Sequence, residues 1–476
     1  MAAVAGLVRG KLAAVLLGTA GVGIFGQVDS FYRSLVQICV LSTGVGVTRC
    51  VAELQAKGDE AGISRAFWST TAFSVVLAGT VAILVSLFSG SLSRLVLGNE
   101  QYGLFLSIVA LGLPLQALSD IMLGMLVGLR DLRAQVWVTA AYTGGGAALY
   151  AFLIWRYGLV GAVYGLFGTA ACMCLASVLF LRRNRSGKLL PTSGQRRFDF
   201  ALLRFILAIG LTGGVMTISD RLVLLTCRSV LIRHFGFEAN GLYQSVFSFS
   251  QLSMGVTYGF ISTYLMPTLS GLQNTERARF EFSSALRLTL LIATISSAVM
   301  ILYGNFVIRA AYSSAFLGAV PLLRVQALGD FVRTLASVLS TTMFALHGWK
   351  PWFAIGMSSY VVYPVLFLLL LPILGFSAIT VAYLLAQSVS CGLAILLFAR
   401  HTRMSGLGTQ GPLLVRSVAL LLIGSVLAWM GNAQVTYIVG SGALLVWVSF
   451  AFSTSEYRRL WTYVSAPTLL FGAGER

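Results

Sequence analysis

Charge is scarce in this sequence, and acid is scarcer still. Of 476 residues 10% are charged, with Asp and Glu numbering 15 against 33 Lys and Arg. A water-soluble domain carries about 25% charged residues, so that class is excluded. The three histidines, His234, His347 and His401, fall at the ends of apolar stretches, and no HExxH pair marks a zinc centre. The six cysteines, Cys39, Cys50, Cys172, Cys174, Cys227 and Cys391, mostly sit inside apolar stretches and outline neither a metal site nor a disulfide framework. A GxxxxGK[ST] phosphate loop is missing, which excludes an ATPase engine in this chain. No nucleophile, base and orienter can be assembled, so the chain reads as a non-enzyme with no cofactor and no metal.

What remains is apolar: 57% of residues are hydrophobic and the mean hydropathy is +0.87. About 20 apolar residues cross a bilayer as a helix. The sequence predicts an all-α polytopic membrane protein with spans near 1–16, 22–46, 66–90, 102–127, 134–155, 158–181, 202–231, 240–265, 283–305, 318–346, 352–374, 376–399, 414–431 and 433–453, fourteen in all with the first one short. The net charge of +18 does not point to nucleic acid, because Lys and Arg gather in short connections between spans. Alternate connections are unequal. One set holds Arg49, Lys57, Arg65, Arg130, Arg133, Arg182, Arg183, Arg196, Arg197, Lys350 and Arg400; the other holds little beyond Arg94, Arg156, Arg233 and Arg309. The positive-inside rule places the first set, and both termini, in the cytoplasm.

The chain also repeats itself. At an offset of 218, Gly18 pairs with Gly236, Gly23 with Gly241, Ser30 with Ser248 and Gln55 with Gln273; at 217, Gly112 meets Gly329, Arg133 meets Lys350 and Gly158 meets Gly375. The expected organisation is a six-helix half at 1–200, a second at 201–413, an extra helix pair at 414–453 and a cytoplasmic tail at 454–476. Six spans per half is even, so the halves enter the membrane in parallel, with a central cavity expected between them. Since the second half begins near 201, the offset predicts a first-half start about 17 residues before Met1, and a shortened first helix.

Charges inside spans normally face a cavity or a partner. Asp29 and Arg33 are four apart and share a helix face. Gln326, Asp330 and Arg333 form one stripe, while Asp220, Arg221 and Arg228 sit together in the seventh span. Asp120 lies in the fourth, Gln27 in the second, and Gln244 and Gln251 in the eighth. The pattern predicts a hydrated, partly cationic lumen. Arg33, Arg221 and Arg333 suit an anionic substrate, because guanidinium matches phosphate oxygens and stays ionised when desolvated. Gln27, Gln244, Gln251 and Gln326 would add hydrogen bonds, and Asp29, Asp120, Asp220 and Asp330 would balance charge or couple to an ion. The structural alternative is internal pairing, with Arg228 and Arg324 snorkelling to the outer interface. Pro114, Pro321, Pro364 and Pro372 either kink spans or are tolerated in them.

Several segments resemble a known family. They are "GKLAAVLLGTAGVGIFGQ" at 10–27, "VTRCVAE" at 47–53, "LVGLRDLRA" at 126–134, "YGLVGAVYGL" at 157–166, "YLMPTLSGL" at 264–272 and "LLRVQALGDFVRTL" at 322–335. In this order they resemble the Wzx-type flippases of lipid-linked oligosaccharides, the translocases of O-antigen and enterobacterial common antigen units. The resemblance implies membership of the superfamily of multidrug and toxic-compound extruders and lipid II flippases. It further implies movement of an undecaprenyl-pyrophosphate-linked oligosaccharide across the bacterial inner membrane, with membrane lipid, a polysaccharide polymerase and a chain-length regulator as partners. A last helix pair beyond twelve departs from those relatives. Two other readings stand beside this one: a cation-coupled drug exporter or lipid II flippase on the same scaffold, and a membrane scaffold for polysaccharide assembly that transports nothing.

Overall fold

The computed structural model describes residues 2–183, 198–270, 275–402, 410–430 and 433–451; the expected tail at 454–476 lies outside them. Every regular element among the described residues is helical. In chain order they are α1 (Ala2–Val40), α2 (Thr43–Ala56), α3 (Glu60–Leu87), α4 (Ser89–Leu97), α5 (Gly103–Ala110), α6 (Leu113–Gly128), α7 (Leu132–Arg183) and α8 (Phe200–Phe260). There follow α9 (Met266–Ser270), α10 (Thr275–Leu302), α11 (Gly304–Ala311), α12 (Val320–His347), α13 (Trp349–Leu374), α14 (Ala378–His401), α15 (Gly411–Trp429) and α16 (Ala433–Ala451). Among the described residues, nine helical stretches are long and apolar enough to cross a membrane, ten if a bent pair over 200–265 is counted as one. The chain is an integral membrane protein.

The longest helices are too long to be single straight rods. At 1.5 Å per residue, the 61 residues of α8 would reach about 90 Å, three times a bilayer core of about 30 Å. Each long stretch turns at a glycine with positive φ: Gly18 (+66°) in α1, Gly158 (+57°) in α7, Gly236 (+80°) in α8 and Gly375 (+55°) between α13 and α14. Gly18 and Gly236 combine that φ with ψ of −171° and −177°, a region that only glycine enters at low cost. The chain then runs back along itself. In α7, Gly161 abuts the Leu153 carbonyl and Gly165 abuts Tyr150. In α8, Arg228 bonds Asn240 and Gln244 across the turn. Tyr363 of α13 meets Tyr383 of α14 with ring centroids 5.9 Å apart. The four turn glycines are the two pairs that the sequence offset matched, so the repeat is written in the backbone as well as in the residues.

A second correspondence was not visible in the sequence. The second arm of α1 breaks at Leu41 and Ser42, both at positive φ (46° and 54°), a strained conformation for non-glycine residues. At the matching point of the second half, α8 gives way to a π-helical turn, Ile261–Leu265, a feature that collects at functional sites.

Packing divides the chain into two compact units. One comprises Met1–Leu252, Ile308–Leu322 and Phe353–Val389; the other comprises Ser253–Val307, Leu323–Trp352 and Ser390–Arg476. Among the described residues of the first unit, two apolar cores stand out. Val28, Phe31, Leu106, Val109, Leu113 and Val163 anchor one, and Val47, Val51, Ile63, Phe67, Ile121, Met125 and Ile206 the other. Small residues bring its helices close: Gly124 of α6 packs on the Gly44 carbonyl of α2, and Gly128 on that of Thr48. Pro114 starts α6 at its first turn, where its missing N–H costs nothing; Pro364 and Pro372 lie inside α13. In the second unit, α15 and α16 pack beside α10: Arg287 donates to the Ala451 carbonyl at 2.9 Å, and Tyr303 stacks on Tyr437 at 5.7 Å.

Candidate functional site

The first unit encloses a polar recess of about 200 Å³, lined by Arg9, Asp29, Tyr32, Arg33, Val36, Gln37, Gln116, Asp120, Tyr142, Leu166, Thr169 and Arg221. Helical periodicity places most of the charge. Asp29 and Arg33 lie one turn apart on the second arm of α1, and Arg33 Nε donates to Asp29 Oδ2 at 2.8 Å. Gln116 and Asp120 repeat the spacing on α6, with Gln116 Nε2 donating to Asp120 Oδ1 at 3.0 Å. Arg221 enters from α8. Arg9 reaches the recess because α1 doubles back at Gly18; its guanidinium lies 4.5 Å from the Tyr150 ring centroid, a cation–π contact.

Three arginines face two aspartates here, leaving one positive charge. The balance is also uneven in satisfaction. Arg33 is held by Asp29, with its side chain 52% exposed. Arg221 Nε is buried with no hydrogen-bond partner among the described residues, and so are Asp29 Oδ1 and the Tyr32 hydroxyl. Buried polar groups are normally paired. The recess thus holds unpaired donors, one unpaired carboxylate oxygen and surplus positive charge, and guanidinium forks match oxyanion geometry.

Of the sequence candidates, Asp29, Arg33, Asp120 and Arg221 converge on this recess. The others lie elsewhere. Gln27 is fully buried, and its Nε2 donates to the carbonyls of Val96 and Leu225 and to Ser229 Oγ. Gln244 accepts from Arg228 and donates to Ser248. Gln251 is exposed and Asp220 half-buried. In the second unit, Gln326 and Asp330 are buried on α12, and Arg333 Nε donates to the Tyr258 hydroxyl at 3.0 Å. Arg228 does not snorkel: it is fully buried, bonded to Asn240, Gly26, Ser30 and Gln244. Arg324 Nη1 donates to the Ala428 carbonyl at 2.8 Å. Sequence reasoning missed Arg9, Gln37, Gln116 and Tyr142. Gln116 carried a legible signal, its spacing of four from Asp120; Arg9 carried none before the reversal at Gly18 was known.

The family described as polysaccharide biosynthesis protein matches residues 21–321. The chain belongs to that family. Among curated proteins it is similar to the lipid III flippase of Escherichia coli, 23% identical over 402 residues, covering 82% of this chain and 94% of that protein. The lipid III flippase of Shigella flexneri matches with the same figures. Among solved structures, an inward-facing multidrug resistance MATE family transporter of the MOP superfamily aligns with a TM-score of 0.76 at 16% identity, over 86% of this chain and 96% of its own. The lipid II flippase MurJ in its inward closed conformation aligns with a TM-score of 0.70 at 14% identity, over 96% of this chain and 97% of its own. At these identities the likeness is one of fold, and the fold of this family member is that of the MATE and MurJ transporters.

Proposed function

We propose that the chain flips an undecaprenyl-pyrophosphate-linked oligosaccharide across the bacterial cytoplasmic membrane by alternating access, supplying surface polysaccharide of the O-antigen kind. The observation that carries this reading is the recess in which Arg9, Arg33 and Arg221 outnumber Asp29 and Asp120 and Arg221 Nε awaits an acceptor. A pyrophosphate and several sugars present many groups that hydrocarbon cannot satisfy. A wet cationic recess shelters such a head while the lipid tail stays among lipids. Family membership and similarity to proteins named lipid III and lipid II flippases support a lipid-linked substrate. The proposed organisation is two parallel six-helix repeats, 1–200 and 201–413, with a helix pair at 414–453 and both termini cytoplasmic. Counting each glycine-turned stretch as two crossings takes the ten candidate stretches to fourteen, which supports that topology. A polymerase and a chain-length regulator are proposed protein partners.

Within this reading, Arg33 and Arg221 contact pyrophosphate or acidic sugar, Asp29 and Asp120 balance them, and Arg333 with Gln326 and Asp330 serves a later stage of passage. The test is surface display of the oligosaccharide in cells that depend on this protein. Arg33→Ala and Arg221→Ala should abolish most of it while the protein still reaches the membrane, and Arg333→Ala should lower it. Normal display in all three variants overturns the reading. A drug exporter would instead keep its transport, because removing arginine favours a cationic cargo.

A further inference from the structure

The phrase that the two repeats share has a physical use that the recess does not account for. Five residues after each turn glycine stands a second glycine, Gly23 and Gly241, and these two helices cross face to face. A methyl on Gly23 would lie 1.9 Å from the Phe237 carbonyl oxygen, and a methyl on Gly241 would lie 1.9 Å from that of Thr19. Residues 19 and 237 are themselves a repeat pair, so the contact is reciprocal, as a two-fold axis between the halves requires. Asn240 Nδ2 bonds across the crossing to the Gly23 carbonyl at 2.7 Å.

Arg228 clasps the crossing. Its Nε donates to Asn240 Oδ1 at 2.9 Å and its Nη1 to Ser30 Oγ at 2.6 Å and the Gly26 carbonyl at 3.3 Å, while Nη2 donates to Gln244 Oε1. The rings of Tyr243 and Phe247 lie 5.6 and 5.7 Å from the guanidinium. One cation thus ties α1 to both arms of α8, and every acceptor it uses is neutral. A carboxylate set against a buried guanidinium would be left uncompensated whenever the pair parted. A clasp of neutral acceptors is different: when it opens to water, the guanidinium recovers its hydration and no anion is stranded. Below the clasp, Ser34 continues the same face of α1, bonded to the Ser30 carbonyl and to that of Arg221, the residue that enters the recess.

We propose that the Gly23–Gly241 crossing, clasped by Arg228, is the gate that closes the recess on the side of the Gly18 and Gly236 turns, and that it parts to release substrate there. This rests on the transporter reading, but its readout is accessibility, so the two can fail separately. Ser34→Cys places a small reporter beneath the gate, read in intact cells with a membrane-impermeant maleimide against the unmodified chain as blank. With the clasp intact, labelling should be low. With Arg228→Met or Ser30→Ala added, labelling from the outside should rise by about tenfold, the mark of a population shift toward the open gate. Gly23→Ala, which wedges the crossing, should act in the same direction. Should Arg228→Met not accumulate in the membrane, Ser30→Ala and Gly23→Ala decide by the same criterion. Unchanged labelling in variants that accumulate in the membrane overturns the proposal, whether or not flipping is impaired.

Discussion

Arg221 and Arg228 stand seven residues apart on α8, two turns along nearly the same face, yet they do opposite things. Arg228 is wholly buried, and the four acceptors around it are supplied by the protein. Arg221 lines the polar recess, and its Nε has no acceptor among the described residues. The residue type is the same and so is the helix. What separates the two is whether the fold has already satisfied the guanidinium. A guanidinium that the fold satisfies holds helices together, and one that it leaves unsatisfied has capacity for a ligand.

The largest expected effect tests that contrast directly. Arg228→Met removes four hydrogen bonds and strands their buried acceptors, so stability should fall by about 3 kcal/mol or more, read from thermal denaturation in detergent. Arg221→Met should change stability by less than about 1 kcal/mol. Equal losses would erase the distinction. Next come the turns. Gly236→Ala and Gly18→Ala force a side chain into a region of φ and ψ reserved for glycine and should each cost about 1–3 kcal/mol. Gly79→Ala, in open space within α3, should be neutral or slightly stabilising by up to about 1 kcal/mol. The smallest stability effect is expected in the recess itself. Asp29→Asn breaks a one-turn ion pair that is partly exposed and should cost about 0.5 kcal/mol or less. The same variant leaves the recess more positive and should bind a pyrophosphate lipid more tightly, by an amount that shrinks as salt rises. Weaker binding by Asp29→Asn would mean that the carboxylate, not the arginines, leads recognition.

The sequence made the helical membrane class and the turn glycines legible, because hydropathy and an offset of 217–218 survive without knowledge of packing. It also brought out four residues that meet in the recess, Asp29, Arg33, Asp120 and Arg221, since charge inside an apolar span is costly and must be housed. It did not show how each is housed. Gln27 and Gln244 carry the same chemistry as lumen residues, but they spend it on the seam between α1 and α8, and only the neighbouring helix decides that. Arg228 read either as a lumen charge or, in the structural alternative, as a residue bound for the interface, because its acceptors, Ser30 and Asn240, look like ordinary small polar residues in the chain. Arg9 was overlooked because nothing local shows that α1 turns back on itself. The matching breaks at Leu41–Ser42 and Ile261–Leu265 carry no shared residue pattern at all; they are set by backbone geometry.

In the proposed function, surplus arginine in the recess recognises an anionic lipid head. The most direct measurement is the affinity of the purified protein in nanodiscs for undecaprenyl pyrophosphate, with and without the Arg33→Ala and Arg221→Ala substitutions. The unmodified chain should bind, and binding should weaken at least about tenfold in each variant, equivalent to 1.4 kcal/mol or more, and weaken further with added salt. Binding of equal strength in all three proteins would contradict it.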